Sequence, residues 1–387
     1  MDAALFTKML SDKSVTDFKK LKYKYPEADL REFVELLKAD VYKPLRLWDF
    51  HGRESVYPDS VAQVRMSSVK LLLRPQSGVY GLKAMEDEIS STLTIENIDF
   101  SRDSVQRIMK GYAPADESEN RIYGMKKGLE FISDPGRPLT EENIHTLYEM
   151  TVGEFLGPED HLLPGHRYRH DNVYIMGRQV EHTGLLYSKL PEYMARLVDF
   201  IQEDSGMNDL LKAAAIHFYF AYLHPYFNGN GRMARLLHLW YLVRQGYSSA
   251  LFVPFSSYVE RSRKRYYDAY TQVEENLKLS GLLDVTPFLL YFITDVYDRL
   301  EVRAAPAKTT EAFERAMEAG QVTEKERDLW NYVLSAYGPE PFSTKQLEKD
   351  FGDAAYATIR KFAQKFWALG LLTKQNYGSR SKYQVSL

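Results

Sequence analysis

The sequence predicts a mainly α-helical protein with one small β-hairpin in its middle and a separate unit at its C-terminal end. Three observations carry that expectation. Apolar residues recur at helical spacing through most of residues 82–277. One stretch, "DNVYIMGRQVEH", is apolar and β-branched around a Met-Gly turn and reads as a hairpin. Beyond residues 303–312, "RAAPAKTTEA", which are small, polar and proline-containing like a linker, the helical pattern restarts with a different character.

With 387 residues the chain has room for two or three domains and enough apolar content to build real cores. Cysteine is absent, which excludes disulfides, thiol nucleophiles and cysteine zinc sites and fits a reducing compartment. The histidines suggest no structural metal cage. A net charge of −3 means that the protein as a whole is no polyanion binder, so any nucleic-acid surface must be local. The start, "MDAALFTKML", lacks a basic leader, and the longest apolar run, "TPFLLYFI", is far too short to span a bilayer. A cytoplasmic protein without membrane contact is the expectation.

Taken in order, residues 1–45 interleave charges and apolar residues and read as short helices with solvated basic faces. From "LWDFHGRESVYPDS" to "LRPQSG" the polarity suggests irregular structure with one short helix or strand. Helices are expected over 82–96, 104–111, 117–132, 140–150, 190–204, 208–223, 231–245 and 262–277, with Thr140 as an N-cap ahead of two acids. The end holds three helical patterns, each closed by glycine, and then "LLTKQNYGSRSKYQVSL", two short strands about a turn at Tyr377-Gly378-Ser379. Three helices and a hairpin is the order of a winged helix-turn-helix. From Ala355 to Leu387 there are six Lys or Arg and no Asp or Glu, a face that would meet the phosphates of duplex DNA or serve protein contacts. The segments are therefore an N-terminal helical and irregular part (1–79), a helical core (80–302), a linker (303–320) and a winged helix (321–387).

The chemistry concentrates in "HPYFNGNGRMAR", residues 224–235. Pro225 ends the apolar helix before it at His224. Gly229 and Gly231 free the backbone for φ > 0, and the helix restarting there aims unpaired N–H groups and a positive dipole at one point. Arg232 and Arg235, three residues apart, face the same place, so a di- or triphosphate is a better match than a single phosphate. His224 would sit at the rim with a near-neutral pKa, suited to taking a proton from a hydroxyl. A plain reading, in which these residues only turn the chain and cap the next helix, stands beside this one.

The stretch resembles the signature of the Fic domain family, HPFx(D/E)GNGRxxR, at His224, Pro225, Gly229, Asn230, Gly231, Arg232 and Arg235, with Tyr226 for the usual Phe. The resemblance runs across roughly residues 80–300. It implies a Fic-type helical core and transfer of AMP from ATP to a protein Ser, Thr or Tyr hydroxyl. On that mapping His224 is the general base, Gly229, Asn230 and Gly231 cradle phosphate, and Arg232 and Arg235 hold the β and γ phosphates. The hairpin near Val173, Tyr174 and Ile175 is a flap that aligns a target segment by strand addition, and Tyr266 and Tyr267 sit where the family packs adenine. One position departs: the acid that ligates Mg²⁺ is Asn228 here, whose amide oxygen can coordinate the ion without bringing charge.

Upstream, "SSTLTIENI" would score as strand from its β-branched run alone. It also resembles the family's inhibitory helix motif, (S/T)xxxE(G/N), through Thr92, Glu96 and Asn97. Thr92 and Glu96 would share a face of a helix over about 82–97, with Asn97 taking the left-handed turn that stops it. In the family that glutamate pairs with the second loop arginine, here Arg235, where the γ phosphate would lie. His217 and His238, on apolar helices, read as core, and Arg167, Arg169 and His170 as solvated loop residues. The sequence thus reads as an autoinhibited protein adenylyltransferase acting on a target protein, with ATP as substrate and a homodimer left open. The alternatives are a degenerate nucleotide-binding regulator acting through a DNA-binding winged helix, or a Fic enzyme that uses another phosphate donor or removes AMP.

Overall fold

The computed structural model of the chain describes residues 1–73, 82–176, 180–300, 307–337, 341–352, 354–377 and 380–386. The first three helices are α1 (Ala3–Leu10), α2 (Phe18–Lys24) and α3 (Glu27–Asp40). Asp2 and Asp17 cap the first two with their carboxylates. They enclose a small core of Met9, Phe18, Leu21 and Phe33, and Asn276 accepts from the Phe18 N–H at 3.0 Å, tying this layer to the body.

Residues 43–57 depart from expectation. Where irregular structure with one short helix or strand is expected, there is a hairpin, β1 (Lys43–Trp48) against β2 (Glu54–Tyr57), followed by the short helix α4 (Met66–Leu72). Only Leu45 and Leu47 of β1 face inward, and a register shift follows Pro44, so the alternation is too short to read in the chain. The body supplies what the local sequence lacks: the Tyr219 hydroxyl bonds both the N–H and the carbonyl of Trp48, at 3.1 and 2.9 Å.

The body is helical, as expected. It comprises α5 (Leu82–Ile95), α6 (Arg102–Met109), α7 (Glu117–Ile132), α8 (Glu141–Thr151), the hairpin β3 (Tyr174–Met176) and β4 (Val180–Thr183), α9 (Leu190–Gln202), α10 (Asp209–Leu223), α11 (Asn230–Arg244), α12 (Phe255–Arg261), α13 (Arg263–Ser280) and α14 (Thr286–Tyr291). Thr140 does cap α8, accepting from Asn143 N–H. Helices α10 and α11 are apolar on nearly every side and are buried along nearly their whole length, which places them at the centre of the main core. Residue 177 of the expected Met-Gly turn lies outside the described residues.

The run read as a linker is helical from its fifth residue: α15 spans Ala307–Glu318, its capacity to form a helix having been obscured by the small residues before it. Then follow α16 (Glu324–Ala336), α17 (Thr344–Phe351), α18 (Tyr356–Ala368) and the antiparallel pair β5 (Leu372–Tyr377) and β6 (Arg380–Val385). Thr323 and Glu326 form a capping box for α16, and Ser343 caps α17. Gly378 and Ser379 of the expected turn lie outside the described residues. This unit has its own core around Trp330, Phe342 and Phe366, and its α16 packs against α5.

Candidate active site

The loop between α10 and α11 is built by two backbone devices. His224 closes α10 in the left-handed conformation, φ 54° and ψ 61°, unusual for a residue with a side chain. Gly229 starts α11 at φ 77°, and a Cβ there would meet the Val152 side chain at 2.7 Å, so glycine is required both for its torsion and for its size. Asn230 spans the loop from within: its amide oxygen accepts from Tyr226 N–H at 3.0 Å and its amide nitrogen donates to Tyr226 C=O at 2.8 Å. The side chain of Asn230 is therefore a strut that shapes the loop, and the residue also lines the cavity beside Gly231.

Both arginines of the loop are buried, Arg232 at 4% and Arg235 at 5% exposure. Arg235 donates through Nε to Thr92 Oγ1 at 2.6 Å and through Nη2 to Glu96 Oε1 at 2.6 Å. Its Nη1, and Nε of Arg232, have no hydrogen-bond partner among the described residues. A buried cationic donor without a partner is costly, and an anion is the kind of group that would satisfy it. Arg232 Nη2 reaches Asn228 Oδ1 at 3.2 Å, and Asn228 Nδ2 lies 3.5 Å from an Asp160 carboxylate oxygen. Burial drives the Arg232 pKa down to about 10, the Glu96 charge only partly opposing it.

Thr92 lies in the last turn of α5, and Glu96 and Asn97 follow directly after it. Helix α5 runs through the β-branched run, and Asn97 ends it at φ 54°, with Ile98 N–H closing back on Leu93 C=O at 3.0 Å. Arg263 holds the Asn97 side chain at 2.9 Å. Further back, Glu88 accepts from Ser256 N–H at 2.8 Å at the start of α12, and Ser91 bonds Ser257 at 2.8 Å. For Glu96, burial pushes the carboxyl up, but the Arg235 guanidinium and its hydrogen bond, with Arg232, outweigh it and hold the group below the usual range.

His224 is not near neutral. Burial first, then the charge of His182, lowers its pKa to about 4. The imidazole is thus neutral at ordinary pH and ready to accept a proton. It lines a cavity of about 240 Å³ together with Glu96, Ile175, His182, Gly231, Arg235, Tyr266, Tyr267 and Glu274. Tyr266 is buried and bonded to His217 at 2.8 Å, whereas Tyr267 is 45% exposed at the mouth. Of the hairpin residues, Ile175 reaches the cavity, Tyr174 points outward at 59% exposure, and Val173 accepts from Gly184 N–H at 3.1 Å. His217 and His238 are buried core residues.

Two further residues belong to this neighbourhood. His182 on β4 bonds Glu274 through Nδ1 and Tyr222 C=O through Nε2 at 2.8 Å. Arg169, expected in solvent, is 2% exposed and donates to the His224 carbonyl at 2.7 Å. The polar run "HRYRHD" carries no periodicity that would betray its burial, whereas Arg167, 49% exposed, does face solvent. No group of three or more His, Cys, Asp or Glu that could hold a metal occurs among the described residues, and no helix among them is long and apolar enough to cross a membrane.

Residues 138–242 match the profile of the Fic/DOC family. A protein adenylyltransferase Fic of Drosophila willistoni is 28% identical over 185 residues, 47% of this chain and 33% of that protein. The protein adenylyltransferase fic-1 of Caenorhabditis briggsae is 29% identical over 180 residues, 44% of this chain and 31% of that protein. The chain therefore spans about a third of the length of these curated relatives. A Fic family protein of known structure from Desulfovibrio desulfuricans G20 aligns with 84% of this chain and 97% of its own at 17% identity, TM-score 0.49. Residues 138–242, which hold His224, the glycine loop and both arginines, are thus a Fic/DOC family domain.

Proposed function

We propose that the protein is an autoinhibited adenylyltransferase that moves AMP from ATP to a hydroxyl side chain of a target protein. The observation that carries this reading is the pair of buried, unpartnered donors, Arg232 Nε and Arg235 Nη1, beside the unpaired first N–H groups of α11. A polyphosphate satisfies them, and a neutral imidazole adjoins them. In the step itself, His224 takes the proton of the target hydroxyl as its oxygen bonds to the α phosphorus. The bond from that phosphorus to the β-bridging oxygen breaks, and pyrophosphate leaves on the arginines. The oxygen donors beside Arg232, Asn228 Oδ1 with the Asp160 carboxylate near it, suit Mg²⁺ and would hold it on the phosphates, where it neutralises charge. The exposed edge of β3 offers main-chain groups to a target strand.

Glu96 is the brake in this reading. Its salt bridge occupies Arg235, so a γ phosphate must displace a carboxylate held on a buried cation. The test is incubation of Glu96→Gly protein with α-labelled ATP and Mg²⁺. Label is expected on protein, weaker in wild type and absent in Glu96→Gly/His224→Ala; nucleotide binding with no transfer under several divalent ions would instead favour a degenerate nucleotide-binding module. Exposed Arg360 and Lys361 on α18 support a phosphate-contacting role for the C-terminal unit, as in a DNA-binding winged helix. Salt-sensitive binding of the full chain to duplex DNA, lost in Arg360→Ala/Lys361→Ala, is its measure.

A further inference from the structure

Four consecutive carbonyls at and just beyond the end of α10, from Tyr222 to Pro225, have no partner within the helix. None is left to water alone. Tyr222 C=O accepts from His182 Nε2 at 2.8 Å, and Leu223 C=O from Leu185 N–H at 3.2 Å. His224 C=O accepts from Arg169 Nε at 2.7 Å, and Pro225 C=O from Arg169 N–H at 3.0 Å. All the donors come from the two stems of the β3–β4 hairpin. Arg169 also donates through Nη1 to Asp171 C=O at 2.6 Å and through Nη2 to Leu185 C=O. One guanidinium therefore joins both hairpin stems to the backbone of the residue that carries the imidazole.

We propose that Arg169 is a positioning residue for His224, fixing its left-handed backbone and hence the direction of its ring, and transmitting the seating of the hairpin to the base. This rests on the reading of His224 as the base. Three observations set Arg169 apart from an ordinary structural cation. It is buried with no carboxylate within ion-pair distance among the described residues, so its charge is spent on carbonyls alone. It braces a non-glycine residue in a sparsely populated conformation, which persists only where the surroundings over-determine it. And the stem opposite leaves room for it through a glycine: a Cβ on Gly184 would meet Arg169 Nη2 at 2.9 Å and Val173 Cγ2 at 2.8 Å. Burial lowers the Arg169 pKa to about 10, so it remains cationic through the working range. A fork of five donors is needed for carbonyls in three directions, which lysine does not supply.

The test compares Arg169→Gln and Arg169→Lys in the full chain, with folding checked by circular dichroism and the imidazoles followed by NMR titration, the His224 signal being identified by its loss in His224→Ala. The charged groups facing His224 are His182, Arg169 and Glu96. Arg169 opposes protonation of the ring, so Arg169→Gln is expected to raise the His224 midpoint while Arg169→Lys leaves it low. On the Glu96→Gly background, both substitutions are expected to lower kcat on the order of 100-fold while KM for ATP stays within about twofold, as for a base displaced by about an ångström. Should Arg169→Gln not fold, Arg169→Lys decides on kcat and KM. A folded Arg169→Gln with an unmoved His224 midpoint, or an Arg169→Lys with undiminished kcat, overturns the inference. If the midpoint moves but Glu96→Gly protein transfers no AMP at all, Arg169 still positions His224 and it is the adenylyltransferase reading that fails.

Discussion

Arg235 carries the balance of the site on three nitrogens, one on Thr92, one on Glu96 and one with no partner. Removing Glu96 leaves a cation at 5% exposure without its counter-charge. Glu96→Gly is therefore expected to lose about 3–5 kcal/mol of stability, the range for breaking a buried pair on one side. ATP with Mg²⁺ should restore part of that loss, because a ligand that binds only the folded state raises its melting temperature. Thermal melts of both forms with and without nucleotide measure this. A smaller ligand shift in Glu96→Gly than in wild type would count against the glutamate as the competitor of the phosphate. How much of this was legible in the chain differs from one residue to the next. Glu96 and Arg235 are 139 residues apart, and only the resemblance linked them in advance. Arg169 could not be read at all, since a polar run gives no sign that a packed hairpin will bury it.

At the level of elements, α5 is held as a rigid bar rather than by its last residue alone. Glu88 satisfies the Ser256 N–H at the start of α12, Ser91 meets Ser257, and Asn97 is clasped by Arg263. Burial raises the Glu88 pKa despite the Ser256 hydrogen bonds, so the group is kept there at an energetic cost that its placement must offset. Glu88→Ala strands the Ser256 N–H and should lower stability by about 1–3 kcal/mol. Because the same change loosens α5, nucleotide affinity should rise with it; calorimetry and denaturant titration on one preparation separate the two effects. A stability loss with unchanged affinity would mean that the bar is not what presents Glu96. The helix itself shows where local reading misleads. The run "STLTI" favours strand by propensity, yet an apolar face against α12 and a left-handed stop at Asn97 make it helical. The hairpin β1–β2 errs in the opposite direction, formed by contacts with Tyr219 that no window of its own sequence contains.

For the molecule as a whole, three buried histidines set its response to acid. His224 is lowered to about 4 and His238 to about 3, burial leading in each case, and burial likewise lowers His217, which faces His238 with ring centroids 5.9 Å apart. The sign follows from the depressed folded values. Unfolded histidines take up protons near pH 6.5, whereas folded His224 and His238 do so only near 4 and 3 and folded His217 only well below its ordinary value, so the stability they contribute is complete above about 6.5 and is lost as pH falls through their folded values. Denaturant midpoints should therefore fall between pH 7 and pH 4.5, by a loss on the order of a few kcal/mol, and His238→Phe should flatten that slope. An unchanged slope would show that carboxylates dominate the acid limb. Between pH 6 and pH 8 His224 stays neutral, so transfer should show no histidine-controlled rise there. The C-terminal unit enters at this scale too, since α16 lies on α5 and links a separately cored unit to the helix bearing Glu96.

The chain by itself determined what short-range chemistry can determine. Proline and glycine spacing gave the bend after His224 and the free N–H groups of α11, apolar periodicity gave the helices, and capping residues such as Thr140 and Ser343 gave their starts. Tertiary structure alone decided the electrical character of the site. Whether an imidazole titrates near neutrality or near 4, and whether an arginine is solvated or braces a backbone, depends on how much water and which distant charges surround it. Those surroundings are assembled from segments far apart in the chain, and no local pattern encodes them.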